Sequence, residues 1–150
     1  MFGQDLSNYR ILISGVTAWF IAQFLKVPFE YLLNRRWLLT LWLSPGGMPS
    51  SHSALVTGTM VAIGLFHGFD TPEFALSVAL SMVVIYDAAG VRRQAGLHAQ
   101  ALNLVISELL SGHPVSDERL REVLGHTPRE VLGGVTLGVV VPLLVWLFWK

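Results

Sequence analysis

His52 follows the run Gly46-Gly47-Met48-Pro49-Ser50-Ser51, and His126 stands four residues before Glu130. Imidazole titrates near neutrality, so of two such rings one can attack an electrophile while the other donates a proton. A carboxylate one helical turn from His126 can hold one of its ring nitrogens, or make no more than a plain i,i+4 hydrogen bond. Basic residues punctuate the same neighbourhoods: Lys26, Arg35 and Arg36 before His52, Arg92 and Arg93 in mid-chain, Arg129 beside Glu130. Like charges gathered in one place repel unless an anion or carboxylate sits among them, so an anion site is expected if the fold brings them together. The segment after Gly46-Gly47 suits such an anion: a flexible turn, then proline and small hydroxyl residues where a helix begins. Helix N-termini present free N–H groups and a positive dipole end, which suit phosphate, and Ser50 and Ser51 add hydroxyls. Pro-Ser-Ser also reads as an ordinary helix cap.

The elements that must position these residues are apolar. Of 150 residues, 53% are hydrophobic and 13% charged, against about 25% charged in an ordinary soluble domain. The absence of cysteine excludes a secreted disulfide scaffold, and zero formal net charge gives no electrostatic footprint for a nucleic-acid partner. Long apolar stretches that face lipid explain the composition. Four are found, at about residues 11–25, 53–69, 73–89 and 131–149. Residues 1–10 are polar without a basic n-region, and no small-residue cleavage site follows the first stretch, so that stretch is expected to stay as a span. Trp146, Trp149 and Lys150 read as an interfacial anchor after the last span.

Between the spans, residues 26–52 mix aromatic and basic side chains and are expected to hold an interfacial helix ending in a Ser-Pro-Gly-Gly turn. Residues 90–130 are expected to hold amphipathic helices at 99–110 and 117–124, the second capped by Ser116. Of ten Lys and Arg residues, three lie in the first connection, five in the third and none in the second. The positive-inside rule then places the first and third connections in the cytoplasm, with Arg10 and Lys150 opposing. With four antiparallel spans, Lys26, His52, Arg92, Arg93, His126, Arg129 and Glu130 all fall at that one face. Asp87, near the inner end of the third span, needs a partner there; a salt bridge to Arg92, Arg93 or Lys26 is the expected role, and a divalent-ion ligand the alternative. His67, His98 and His113 match no pattern, and His67 falls at the other face. Gly133, Gly134 and Gly138 are expected to permit close helix packing.

Three stretches together resemble a known family. GGMPSSHSAL at 46–55 looks like the Pro-Ser-Gly-His motif of the type-2 phosphatidic acid phosphatase superfamily. His126-Thr127-Pro128-Arg129-Glu130, followed by Gly133, Gly134 and Gly138, resembles its last motif, in which Asp follows His by four residues ahead of a glycine-bearing span. With Tyr86-Asp87-Ala88-Ala89-Gly90-Val91-Arg92-Arg93, the pattern over residues 26–138 resembles a divergent bacterial and plastid branch. The resemblance implies that His126 is a nucleophile forming a phosphohistidine, that Glu130 orients its other ring nitrogen, and that His52 protonates the leaving alcohol. It implies phosphate contacts from Lys26, Ser50, Ser51 and Arg92 or Arg93, with Arg35, Arg119 and Arg121 as further candidates. The chain departs from the superfamily pattern at four points. Lys26 is not followed by the Lys-x6-Arg-Pro spacing, Leu120 stands six residues before His126 where arginine is usual, Ser51 replaces glycine, and Glu130 replaces aspartate.

The expected protein is therefore a single all-α domain, an integral membrane bundle of about four spans with interfacial helices, in a bacterial inner membrane. The expected activity is hydrolysis of a phosphomonoester or pyrophosphate on a lipid, with no cofactor and no metal. Membrane lipids surround the bundle, and a homodimer is expected from the reduced span count and the glycine-rich fourth span. The alternative is a non-catalytic lipid-phosphate binder or scaffold that keeps the pocket; a transporter is a third reading, without an inverted repeat to support it.

Overall fold

The computed structural model describes residues 2–43, 46–109 and 126–149. Helix α1 (Phe2–Asn34) is followed by a short 3-10 turn (Leu39–Trp42), α2 (Ser51–Phe66), α3 (Pro72–Tyr86), a π-helical turn (Asp87–Val91), α4 (Arg92–Leu109) and α5 (Pro128–Phe148). The fold is an all-α membrane bundle. Among the described residues, Asn8–Asn34, Pro72–Gly90 and Pro128–Phe148 are long and apolar enough to cross a bilayer. The second expected span, α2, has 16 residues and is therefore about 24 Å long, short of a hydrocarbon core about 30 Å thick. It lies at the centre, packed on α1, α3 and α5.

Side-chain size is sorted as a bilayer requires. Lipid supplies no hydrophobic force between helices, so they associate by close packing of small residues. Ala18 and Ala22 on α1, Ala54, Gly58 and Ala62 on α2, and Gly134 and Gly138 on α5 recur four residues apart, and all are buried. At Gly138 a Cβ would come 2.6 Å from the Thr57 Cβ and 2.9 Å from the Ala54 carbonyl oxygen, so only glycine lets α5 lie on α2. The glycine set thus packs within the chain, as expected. That packing removes the glycine-rich face of α5 as an argument for a homodimer. The large apolar residues face outward: Leu12, Val16, Phe20 and Phe24 on α1, and Leu76, Leu80 and Val83 on α3.

Two connections differ from expectation. The first span was expected to end at residue 25, yet α1 continues through Lys26 and Pro28 to Asn34. Proline lacks the N–H that would bond to the carbonyl four residues back, which is that of Phe24. Trp42 donates its Nε1–H to that carbonyl at 3.3 Å, while Gln23 Nε2 donates to the Trp42 carbonyl at 2.6 Å. The Trp42 ring stacks beside Phe24 at 5.4 Å. The 3-10 turn is thereby laid back along α1, in place of a separate interfacial helix. The second difference is the start of α4 at Arg92, earlier than residue 99, directly after the π-helical turn. The expected helix at 117–124 and its cap Ser116, with Arg119, Arg121 and His113, lie outside the described residues.

Candidate active site

Glu130 is the residue around which the site is knitted. Thr127 caps α5, with its Oγ1 accepting the Glu130 N–H at 3.4 Å. The Glu130 carboxylate reaches back, its Oε2 accepting the Thr127 N–H at 3.3 Å. The two bonds form a capping box, which satisfies backbone donors that a helix start leaves open. The same Oε2 lies 2.9 Å from His126 Nδ1. A carboxylate can only accept, so Nδ1 carries the proton of this bond, and in the neutral ring Nε2 has the lone pair. At its backbone, the Glu130 carbonyl accepts the Ser50 N–H at 2.8 Å, tying α5 to the start of α2.

His126 is buried, 6% exposed, and is held at a second point: its N–H donates to the Ala88 carbonyl at 3.1 Å. Ala88 lies inside the π-helical turn. Such turns shift the hydrogen-bond ladder locally and gather at functional sites; here one carbonyl of the third span meets the amide of the site histidine. The His52 ring lies 6.4 Å from that of His126, centroid to centroid, and is exposed where His126 is not.

Lys26 is 2% exposed and near enough to Glu130 for their charges to attract. Its stem runs past the turn before α2, since a Cβ on Gly47 would stand 3.7 Å from the Lys26 Cδ. Gly47 itself has φ +82°, a backbone conformation other residues rarely adopt. The turn can therefore lie close over the lysine.

The expected residues thus divide. Lys26, Ser50, Ser51, His52, His126 and Glu130 come together at one end of the bundle. Within this set Ser50 works chiefly as the cap of α2. It is fully buried, and its Oγ accepts from the Ser53 N–H at 3.4 Å and the Ser53 hydroxyl at 3.1 Å. Ser51 is buried beside it. Asp87 opens the π-helical turn, one residue from the carbonyl that holds His126. Arg92 and Arg93 begin α4 directly after that turn. Arg35 stands apart: it is exposed, with φ +55°, and its guanidinium lies over the Tyr31 ring at 5.8 Å. It is nine residues past Lys26, or about 13 Å along a helix axis. His67 caps the opposite end of α2, and His98 is an exposed residue of α4. Sequence reasoning missed Thr127 and Trp42. The first was signalled by the Thr-x-x-Glu spacing of a capping box; the second carried no local signal.

The family model described as "Divergent PAP2 family" matches residues 7–141. A protein of Bacillus subtilis (strain 168), named "Uncharacterized membrane protein YuiD", is 34% identical over 155 aligned residues, covering 96% of this chain and 98% of its own. No solved structure matches the chain. With its motif-bearing helix ends gathered at one site and its apolar helices sorted for lipid, the chain is an integral membrane protein that belongs to the divergent PAP2 family.

Proposed function

We propose that the protein is a lipid phosphate phosphatase that works through a histidine nucleophile. The observation that carries this reading is the buried His126, with Nδ1 on a carboxylate and a second histidine ring 6.4 Å away. In the proposed reaction His126 Nε2 attacks phosphorus and the bond from phosphorus to the lipid oxygen breaks. His52, as imidazolium, gives its proton to the departing oxygen. Water then attacks the phosphohistidine; His52, now neutral, takes a proton from that water, and inorganic phosphate leaves as His126 is restored. Glu130 stabilises the positive charge that His126 carries in the intermediate. Lys26, the first amides of α2 with Ser51, and an arginine of the pair Arg92 and Arg93 neutralise the equatorial oxygens, a role fixed cations can fill without a metal ion. Asp87 supports that arginine pair and Lys26 by charge.

A lipid substrate follows from placement, since the site lies at the end of a membrane bundle, where headgroups sit. Phosphatidic acid, phosphatidylglycerophosphate and polyprenyl phosphates share the required chemistry. The membrane is a bacterial inner membrane, and the site face is cytoplasmic by the distribution of Lys and Arg. A homodimer, if formed, uses the exposed face of α3 (Leu76, Leu80 and Val83), because the glycines of α5 are already occupied.

Phosphate release from a panel of lipid phosphates, with and without chelator, tests the reading beside His126→Ala. Chelator-resistant turnover lost in the variant is the expected result. Absence of turnover by the wild type on every lipid, with lipid-phosphate binding that survives His126→Ala, overturns it in favour of a non-catalytic binder. The departures from the superfamily pattern at Lys26, Ser51, Leu120 and Glu130 are what favour that second reading.

A further inference from the structure

We infer that Thr127 is a positioning residue, and that its cap is the reason the orienting carboxylate in this chain is glutamate. The inference rests on the catalytic reading of His126 given above. One oxygen, Glu130 Oε2, takes both the His126 ring at 2.9 Å and the Thr127 amide at 3.3 Å. His126 immediately precedes the cap residue, so its ring hangs off the start of α5 and has no helical ladder to fix it. The carboxylate that fixes it must first be brought back over the helix start. A capping box does this, and in its usual form Glu or Gln reaches the cap amide. Aspartate, one methylene shorter, starts its carboxylate further from both groups, so on this inference it holds the cap amide and the ring less well with one oxygen.

Thr127 closes the arrangement from the other side. Its Oγ1 accepts the Glu130 N–H, so the backbone that launches the carboxylate is held by the residue whose amide receives it. Glu130 is tied once more through its carbonyl to Ser50. An ordinary cap would stabilise α5 and nothing else. This one also sets the angle from which the carboxylate meets the His126 ring, and with it the tautomer that leaves Nε2 free to attack.

The test uses the full chain in lipid nanodiscs, with histidine ring nitrogens isotopically labelled, and compares wild type with T127A, T127S, E130D and H126Q. The signal absent from H126Q identifies His126. Wild type and T127S are expected to share one Nδ1–H signature, and T127A and E130D to move away from it. In turnover, T127A and E130D are expected to lose about tenfold in kcat, the scale of one hydrogen bond to a charged group, with KM changed less than twofold. T127S is expected to recover the wild-type rate. Thr127 is exposed, so T127A leaves the packed interior untouched. A His126 signature in T127A identical to wild type overturns the inference, whatever E130D does. If the wild type turns over no lipid phosphate, the phosphatase reading fails, and the ring signatures alone decide the role of Thr127.

Discussion

Lys26 is buried two turns short of the end of α1, its stem under Gly47 and its charge drawn to Glu130. Its position at the end of an apolar stretch put it among the residues expected at the site face. It lies there, but inside its helix rather than at the end of it. A buried ammonium is retained where it meets charge; Glu130 supplies one such charge, and the proposed substrate phosphate would supply another. Lys26→Met keeps the stem and its packing while removing the cation. Its expected effect is a loss of kcat/KM of about a hundredfold, the scale of one transition-state donor, with little change in melting temperature. Lys26→Arg is not expected to restore activity, because a planar guanidinium does not place its charge and donors where the compact ammonium does. Steady-state turnover of one lipid phosphate by the three proteins decides the matter. At this scale much was legible: the spacing of His126 and Glu130 marks one helical turn, and the Ser-rich start before His52 marks a helix N-terminus. What was not legible was the division of labour among neighbours. Ser50 and Ser51 look alike in sequence, yet the Ser50 hydroxyl and amide are committed to Ser53 and Glu130.

Among the elements, α1 departs most from what its sequence suggests. Proline within a helix removes one hydrogen bond and usually marks a kink or an end. The helix runs through Pro28 because the carbonyl left over at Phe24 is taken by an indole from 18 residues further on. That repair is tertiary, so no local pattern of propensity announces it. Helices α2, α3 and α5 were legible to within a few residues, since apolar length and capping residues are local. The course of the connection between α1 and α2 was not. Trp42→Phe keeps the ring beside Phe24 and deletes the donor, leaving the Phe24 carbonyl without its partner. The expected cost is about 1 kcal/mol, read as a lower melting temperature in detergent. Because the 3-10 turn leads to the Gly46-Gly47 turn that covers Lys26, Trp42→Phe is also expected to raise KM with kcat nearly unchanged. A melting temperature and KM both equal to wild type would show that the aromatic stack alone holds the turn.

Across the whole molecule the two ends of the bundle are chemically opposite. One carries Lys26, His52, His126 and Glu130. The other carries Arg10, whose guanidinium lies 5.7 Å from the Phe66 ring and 6.0 Å from the Trp149 ring. Arg10 opposes the positive-inside assignment when residues are merely counted. Its setting explains why it can be tolerated there: it is held between aromatic faces at the C-terminal ends of α2 and α5, where the helix dipole favours a cation. Eight of the ten Lys and Arg residues lie in the two connections at the site end, so the proposed orientation puts that end in the cytoplasm. The chain contains no cysteine, so one introduced thiol reports one location. Asn34→Cys at the site end and Asp70→Cys in the turn between α2 and α3 are both exposed positions, and neither removes a basic residue. In intact cells a membrane-impermeant thiol reagent is expected to label Asp70→Cys at once and Asn34→Cys only after the membrane is opened. The reverse pattern would turn the bundle over. The site would then face the exterior, its substrates would be lipid phosphates of the outer leaflet, and the basic residues at the site end would owe their presence to phosphate binding rather than to topology.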